Sequence, residues 1–116
     1  MRFSKLCLGL AAFFAASAQA AIVEFHIPAG TAPGSWNSRA ELLTVKVGDT
    51  IRLVNDDDVV HALHTFDDVP CEHGDDMAPR GGTYDCVITE PYDALVTGAL
   101  FDHYFHDASF WLVATP

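Results

Sequence analysis

The chain is short of basic residues, short of cysteine and almost free of long hydrophobic runs. Lys and Arg number 6 against 16 Asp and Glu in 116 residues, a net charge of −10. A surface of that sign argues against nucleic acid or anionic lipid as a partner, since both would repel it. It favours a basic protein partner or cation capture; it also serves plain solubility. One apolar run stands out, Leu6 to Ala16, behind Arg2 and Lys5, and it is too short to span a bilayer. Ala18-Gln19-Ala20 then supplies the small residues of an export cleavage site. Residues 1–20 are therefore expected to be a cleaved signal peptide and 21–116 a single mature domain, periplasmic or secreted. No other stretch is apolar enough for a membrane span. The leader holds two of the six basic residues and none of the sixteen acidic ones. The mature domain thus sets 4 against 16, a net charge of −12.

Of the three cysteines, Cys7 falls in the leader, which leaves Cys71 and Cys86. In an oxidising compartment an isolated pair in a small domain most often forms a disulfide. Closing a loop of about 15 residues stabilises a fold by roughly 3 kcal/mol through lost unfolded-chain entropy. The loop contains Gly74, Pro79, Gly81 and Gly82, with Pro70 just ahead of it, a composition that benefits from a staple. One cysteine acting as a thiolate metal ligand is the competing reading.

Helical periodicity is missing too, apart from a short helix expected within residues 34–41. Alternation is plentiful. Val23, Phe25 and Ile27 alternate with Glu24 and His26; Leu43, Val45 and Val47 alternate with Thr44 and Lys46. Ile51 and Leu53 flank Arg52, and 60–66, 83–89 and 110–114 are rich in β-branched and aromatic residues. Turn residues recur at 28–33, Gly48-Asp49, 56–58, Gly81-Gly82 and Pro91. This pattern predicts an all-β domain, a β-sandwich or small barrel. In 83–89, Tyr84, Cys86 and Ile88 share one face, which directs Cys86 inward.

The chemistry lies with histidine, because no Ser-His-Asp spacing, carboxylate pair or phosphate-cradling glycine loop is present. The chain therefore reads as a binding protein rather than an enzyme. His103 and His106 sit among aromatic residues just before the last hydrophobic strand, and His61 follows Asp56-Asp57-Asp58. Neutral imidazole is the commonest protein metal ligand, and a fold that brought His61 to this pair would make a nitrogen-rich metal site.

The run Val45-Lys46-Val47-Gly48-Asp49-Thr50-Ile51-Arg52-Leu53-Val54-Asn55-Asp56-Asp57, followed by His61, resembles the first half of a cupredoxin, the plastocyanin and azurin family. Met77 to Tyr84 is similar to that family's proline-glycine turn, and the resemblance spans residues 41–114. It implies a Greek-key β-sandwich, copper as cofactor, and His61 as the first ligand. The family then places a cysteine, a histidine three residues on and often a methionine three further, in one loop before the last strand. Here that loop reads Phe101-Asp102-His103-Tyr104-Phe105-His106-Asp107-Ala108-Ser109 and has no cysteine. On spacing, His103 takes the cysteine position, His106 the histidine position and Ser109 the methionine position.

Without a thiolate the site is not expected to be a blue copper centre. Three imidazoles bind divalent copper well and zinc less tightly. His64, His73 and Met77 are further candidate ligands, although His64 lies three residues from His61 and points the opposite way on an extended strand. Asp102 or Asp107 could orient a ligating ring by accepting its second N–H. The expected function is copper binding, delivery or electron transfer, with a basic redox or copper-handling protein as partner. A metal-free binding module on the same scaffold and a histidine-ligated metalloenzyme are the alternatives.

Overall fold

The computed structural model describes residues 19–116, so all but the last two residues of the expected leader, and Cys7 with them, lie outside the described residues. The domain is all-β. Its strands are β1 (Ile22–Ile27), β2 (Leu43–Lys46), β3 (Thr50–Asn55), β4 (Leu63–His64), β5 (Gly82–Val87), β6 (Tyr92–Asp93), β7 (Leu100–Asp102), β8 (Ser109–Phe110) and β9 (Leu112–Thr115). One helical turn, α1 (Ala94–Thr97), follows β6, with the Asp93 carboxylate accepting the Leu95 N–H as a cap.

The strands form three sheets, ordered β1-β3-β5, β2-β9-β6 and β4-β7-β8. β1 runs parallel to β3 and β2 parallel to β9, while the remaining pairs are antiparallel. Alternation explains which side chains go inside. Ile51 and Leu53 on β3, Val45 on β2 and Leu112 and Ala114 on β9 are buried, and with Ile27, Trp36, Leu63 and Phe110 they form the core. Gly48, at φ 101°, takes the positive backbone angle of the turn between β2 and β3. Asp49 secures that turn, because its carboxylate accepts the Ala21 and Lys46 N–H groups.

Local detail departs from the expected strands in three places. The 60–66 strand shortens to Leu63–His64, because Asp67 and Asp68 adopt positive φ and fold Phe66 back onto Val69. The 110–114 strand divides at Trp111, whose N–H donates to the Asn37 side chain and whose carbonyl accepts from the Leu43 N–H. The helix expected within 34–41 is a three-residue 3-10 turn, Arg39–Glu41. Cys71 and Cys86 are joined in a fully buried disulfide, with Cα atoms 5.4 Å apart, so neither is a thiolate ligand. Cys86 does face inward with Ile88, whereas Thr83, Asp85 and Val87 are exposed. Among the described residues no helix is long and apolar enough to cross a membrane.

Candidate functional site

The histidines separate into a buried setting and a surface one. His61 is the buried one, at 0 % exposure, between two carboxylates that are also buried, Asp57 and Asp102. Its Nε2 meets the Asp57 carboxylate at 2.9 Å, and its Nδ1 is hydrogen-bonded to Asp102. The local chain supports both acids. Asp57 accepts the N–H groups of Gly30, Ala32 and Asp58, and Asp102 accepts those of the Trp36 indole and the Tyr104 backbone. Burial pushes the Asp57 carboxyl up. The hydrogen bonds from His61 and from the Asp58, Ala32 and Gly30 backbone outweigh it and hold the group well below the usual carboxylate range. Trp36 and Phe105 close the aromatic sides of the pocket, their rings 5.9 and 5.6 Å from the imidazole. With both ring nitrogens engaged by carboxylates, His61 has none to offer a metal.

The C-terminal loop therefore reaches His61 through Asp102 and Phe105, each one position before the expected ligands His103 and His106. The structure does not bring His61, His103 and His106 together. His106 is exposed, its Nε2 donating to the His103 carbonyl at 3.0 Å and its ring against Phe101. Met77 is fully buried in the core, and its backbone pairs with that of His61. Asp102, considered as an orienting partner for a ligating ring, orients His61 instead. Asp107 is exposed.

What the fold does bring together is His64, His73 and His103. One nitrogen from each lies within 4.8 Å of the others. Among the described residues this is the one group of three histidine, cysteine or carboxylate donors close enough to share an ion. His64 comes from β4, His103 from the residue after β7, and His73 from the loop stapled by the disulfide. β4 pairs with β7 in the register Leu63↔Asp102, and the His103 N–H donates to the Ala62 carbonyl, which aligns the first two. His73 is delivered by Gly74, whose N–H donates to the Leu63 carbonyl. Gly74 packs so closely that a Cβ there would lie 3.0 Å from the Leu63 nitrogen, so only glycine fits without a shift.

The donors suit a metal. The His73 Nδ1–H donates to the Gly74 carbonyl at 3.1 Å, which leaves Nε2 as the coordinating atom. That Nε2 is 3.1 Å from His64 Nδ1, a separation that two ligands of one ion, each about 2 Å from it, can share. Burial, followed by the neighbouring His73, His103 and His106, holds the His64 ring below its ordinary pKa, which keeps it neutral and able to coordinate. Phe101 stacks on His64 at 4.6 Å and Phe66 meets its edge at 4.8 Å, a wall that limits ring motion. An apolar groove of about 580 Å³ lined by Phe66, Val69, Tyr92 and Val113, among others, touches this wall only at Phe66 and contains none of the histidines.

Sequence spacing placed His103 in a metal site and left His64 and His73 as lesser candidates. Two signals pointed to the observed grouping. His64 takes the opposite direction from His61 along an extended segment, and His73 lies two residues from a stapled cysteine. Comparison with protein-family models, with curated proteins and with solved structures finds no match for this chain.

Proposed function

We propose that this is an exported, cupredoxin-like copper-binding protein that holds copper in a mononuclear surface site of His64, His73 and His103 and acts in copper binding and delivery. The observation that carries the reading is the three-imidazole cluster, with His73 oriented through Gly74 and His64 kept neutral. Imidazole without thiolate suits divalent copper, with zinc bound less tightly. The ligand set differs from the family's, but the scaffold reading is supported by β2 and β3 meeting at the Gly48-Asp49 turn, by the two parallel strand pairs and by a ligand loop ahead of the last strand. A Greek-key sandwich is consistent with those pairings. The buried disulfide supports an oxidising compartment, and hence export behind residues 1–20. Exposure of His103 and a strongly acidic chain favour exchange with a basic copper-handling partner over electron transfer, which needs one geometry for both oxidation states.

The second reading, a metal-free binding module on the same scaffold, is favoured by the Asp57–His61–Asp102 array. It fills the place where the resemblance puts the first copper ligand. Copper(II) titration with electron paramagnetic resonance separates the two. The copper reading expects one ion per chain, nitrogen hyperfine structure and no intense thiolate-to-copper absorption, with the signal lost in His64→Ala and His73→Ala and kept in His26→Ala. Absence of stoichiometric uptake by the wild-type chain favours the metal-free module.

A further inference from the structure

The three histidines define a triangle, and its three edges are secured differently. The His64–His103 edge rests on backbone, through the β4–β7 pairing and the His103 N–H to the Ala62 carbonyl. The His64–His73 edge rests on the Gly74 N–H to the Leu63 carbonyl and on the direct ring contact at 3.1 Å. The His73–His103 edge has neither. Their rings meet edge to face at 5.2 Å with no polar bond between them. Among the described residues, one hydrogen bond joins the loop of His73 to the loop of His103: the Tyr104 hydroxyl donates to the Asp76 carboxylate at 2.6 Å.

We infer that Tyr104 and Asp76 are positioning residues for the site, a surface latch that sets the distance between His73 and His103. The inference rests on the reading of His64, His73 and His103 as a metal site. Tyr104 is well placed for the task. Its backbone N–H is held by the buried Asp102 carboxylate at 2.8 Å, and its ring stands perpendicular to His103 at 5.1 Å. The residue is thus anchored at its base, supports a ligand with its ring and reaches the opposite loop with its hydroxyl. A surface clip would ordinarily add little to folding stability, because Tyr104 is 49 % exposed and water competes for both partners. Its effect falls on the one ligand spacing that the sheets leave open.

Tyr104→Phe and Asp76→Ala remove the bond without touching the core, and two readouts test the inference. In copper(II) titrations each variant is expected to bind about three- to tenfold more weakly, the size of one modest hydrogen bond, with a changed nitrogen hyperfine pattern. The double variant should lose no more than either single one, since both remove the same bond. In the metal-free chain, the nuclear Overhauser contact between the His73 and His103 ring protons should weaken in both variants, while the thermal midpoint stays at the wild-type value. Unchanged copper affinity together with an unchanged ring contact would overturn the latch. A wild-type chain that takes up no copper(II) but loses the ring contact in Tyr104→Phe would support the latch and remove the metal reading.

Discussion

His61 and His64 are three residues apart on the same short segment, yet they live in opposite chemical worlds. His61 is sealed inside, its two nitrogens held by Asp57 and Asp102. His64 looks outward to two further imidazoles and an aromatic wall. The difference follows from the period of an extended chain, which sends positions three apart to opposite sides. It shows that a histidine's function is decided by what its nitrogens meet. Carboxylates on both make a structural cross-link; neighbouring imidazoles make a cluster that could hold an ion.

The largest effect expected from this contrast is on stability. Asp57→Ala removes a buried carboxylate and strands the His61 ring and the N–H groups of Gly30, Ala32 and Asp58. Breaking one partner out of a buried charged network typically costs about 3–5 kcal/mol. His64→Ala removes a half-buried ring whose polar partner is another histidine, and should cost about 1 kcal/mol or less in the metal-free chain. Urea denaturation of both variants checks the pair. Similar losses in the two would erase the distinction between a structural and a ligand histidine.

The disulfide comes next. Replacing Cys71 and Cys86 together by Ala releases a loop of 15 residues and should cost about 3 kcal/mol. The loss should not be evenly felt. His73 lies two residues from Cys71, whereas His64 and His103 are aligned by the β4–β7 pairing. Copper affinity in the double variant should therefore fall at a temperature where circular dichroism still reports a folded chain. Intact affinity there would mean that the Gly74 bond to Leu63, the His73 N–H to Asp68 and the ring contact with His64 suffice to hold His73.

How far the sequence could lead is visible in the same residues. The strands of alternating pattern, the Gly48-Asp49 turn, the inward face of Cys86 and the pairing of the two cysteines all follow from local rules, and all are present. The 92–102 segment was not legible. β6 and β7 are short, and they exist because β9 and β4 offer partners, a non-local cause that periodicity does not carry. The site failed for a related reason. Ligand grouping depends on which residue of the C-terminal loop points inward, and a shift of one position exchanges Asp102 for His103. That phase is set by the backbone bonds of Asp102 to Ala108 and of His103 to Ala62, which spacing along the chain cannot reveal. Three acids in a row usually form a solvated turn, and Asp56 and Asp58 are exposed. Asp57 is the exception, 1 % exposed, since the 30–32 backbone turns its N–H groups onto it.

A smaller effect is expected from pH, and the buried region contributes to it through Asp57. The Asp57 carboxyl is held below its ordinary value of 3.8 in the folded chain. Its contribution is therefore complete above that ordinary value and is lost as pH falls through the lower folded one. The thermal midpoint of the wild-type chain should decline below about pH 4 more steeply than that of Asp57→Asn, in which the Asp49 and Asp85 carboxyls, also held below their ordinary values, still contribute. Equal slopes would place the acid sensitivity in other carboxylates.

The smallest expected effect is at His106. By spacing it was a leading ligand, yet its ring is exposed and its Nε2 is bonded to the His103 carbonyl, one residue's turn away from the cluster. His106→Ala leaves the three clustered nitrogens and their backbone supports in place, and should change copper affinity by less than about twofold, within the ordinary reach of a surface substitution. His103→Ala, three positions earlier, should abolish one nitrogen from the hyperfine pattern. The two variants sit in the same loop with the same charge change, so only their place relative to His64 and His73 separates them. A loss at His106 as large as that at His103 would mean that the loop rearranges around the ion and that the metal-free grouping understates the ligand set.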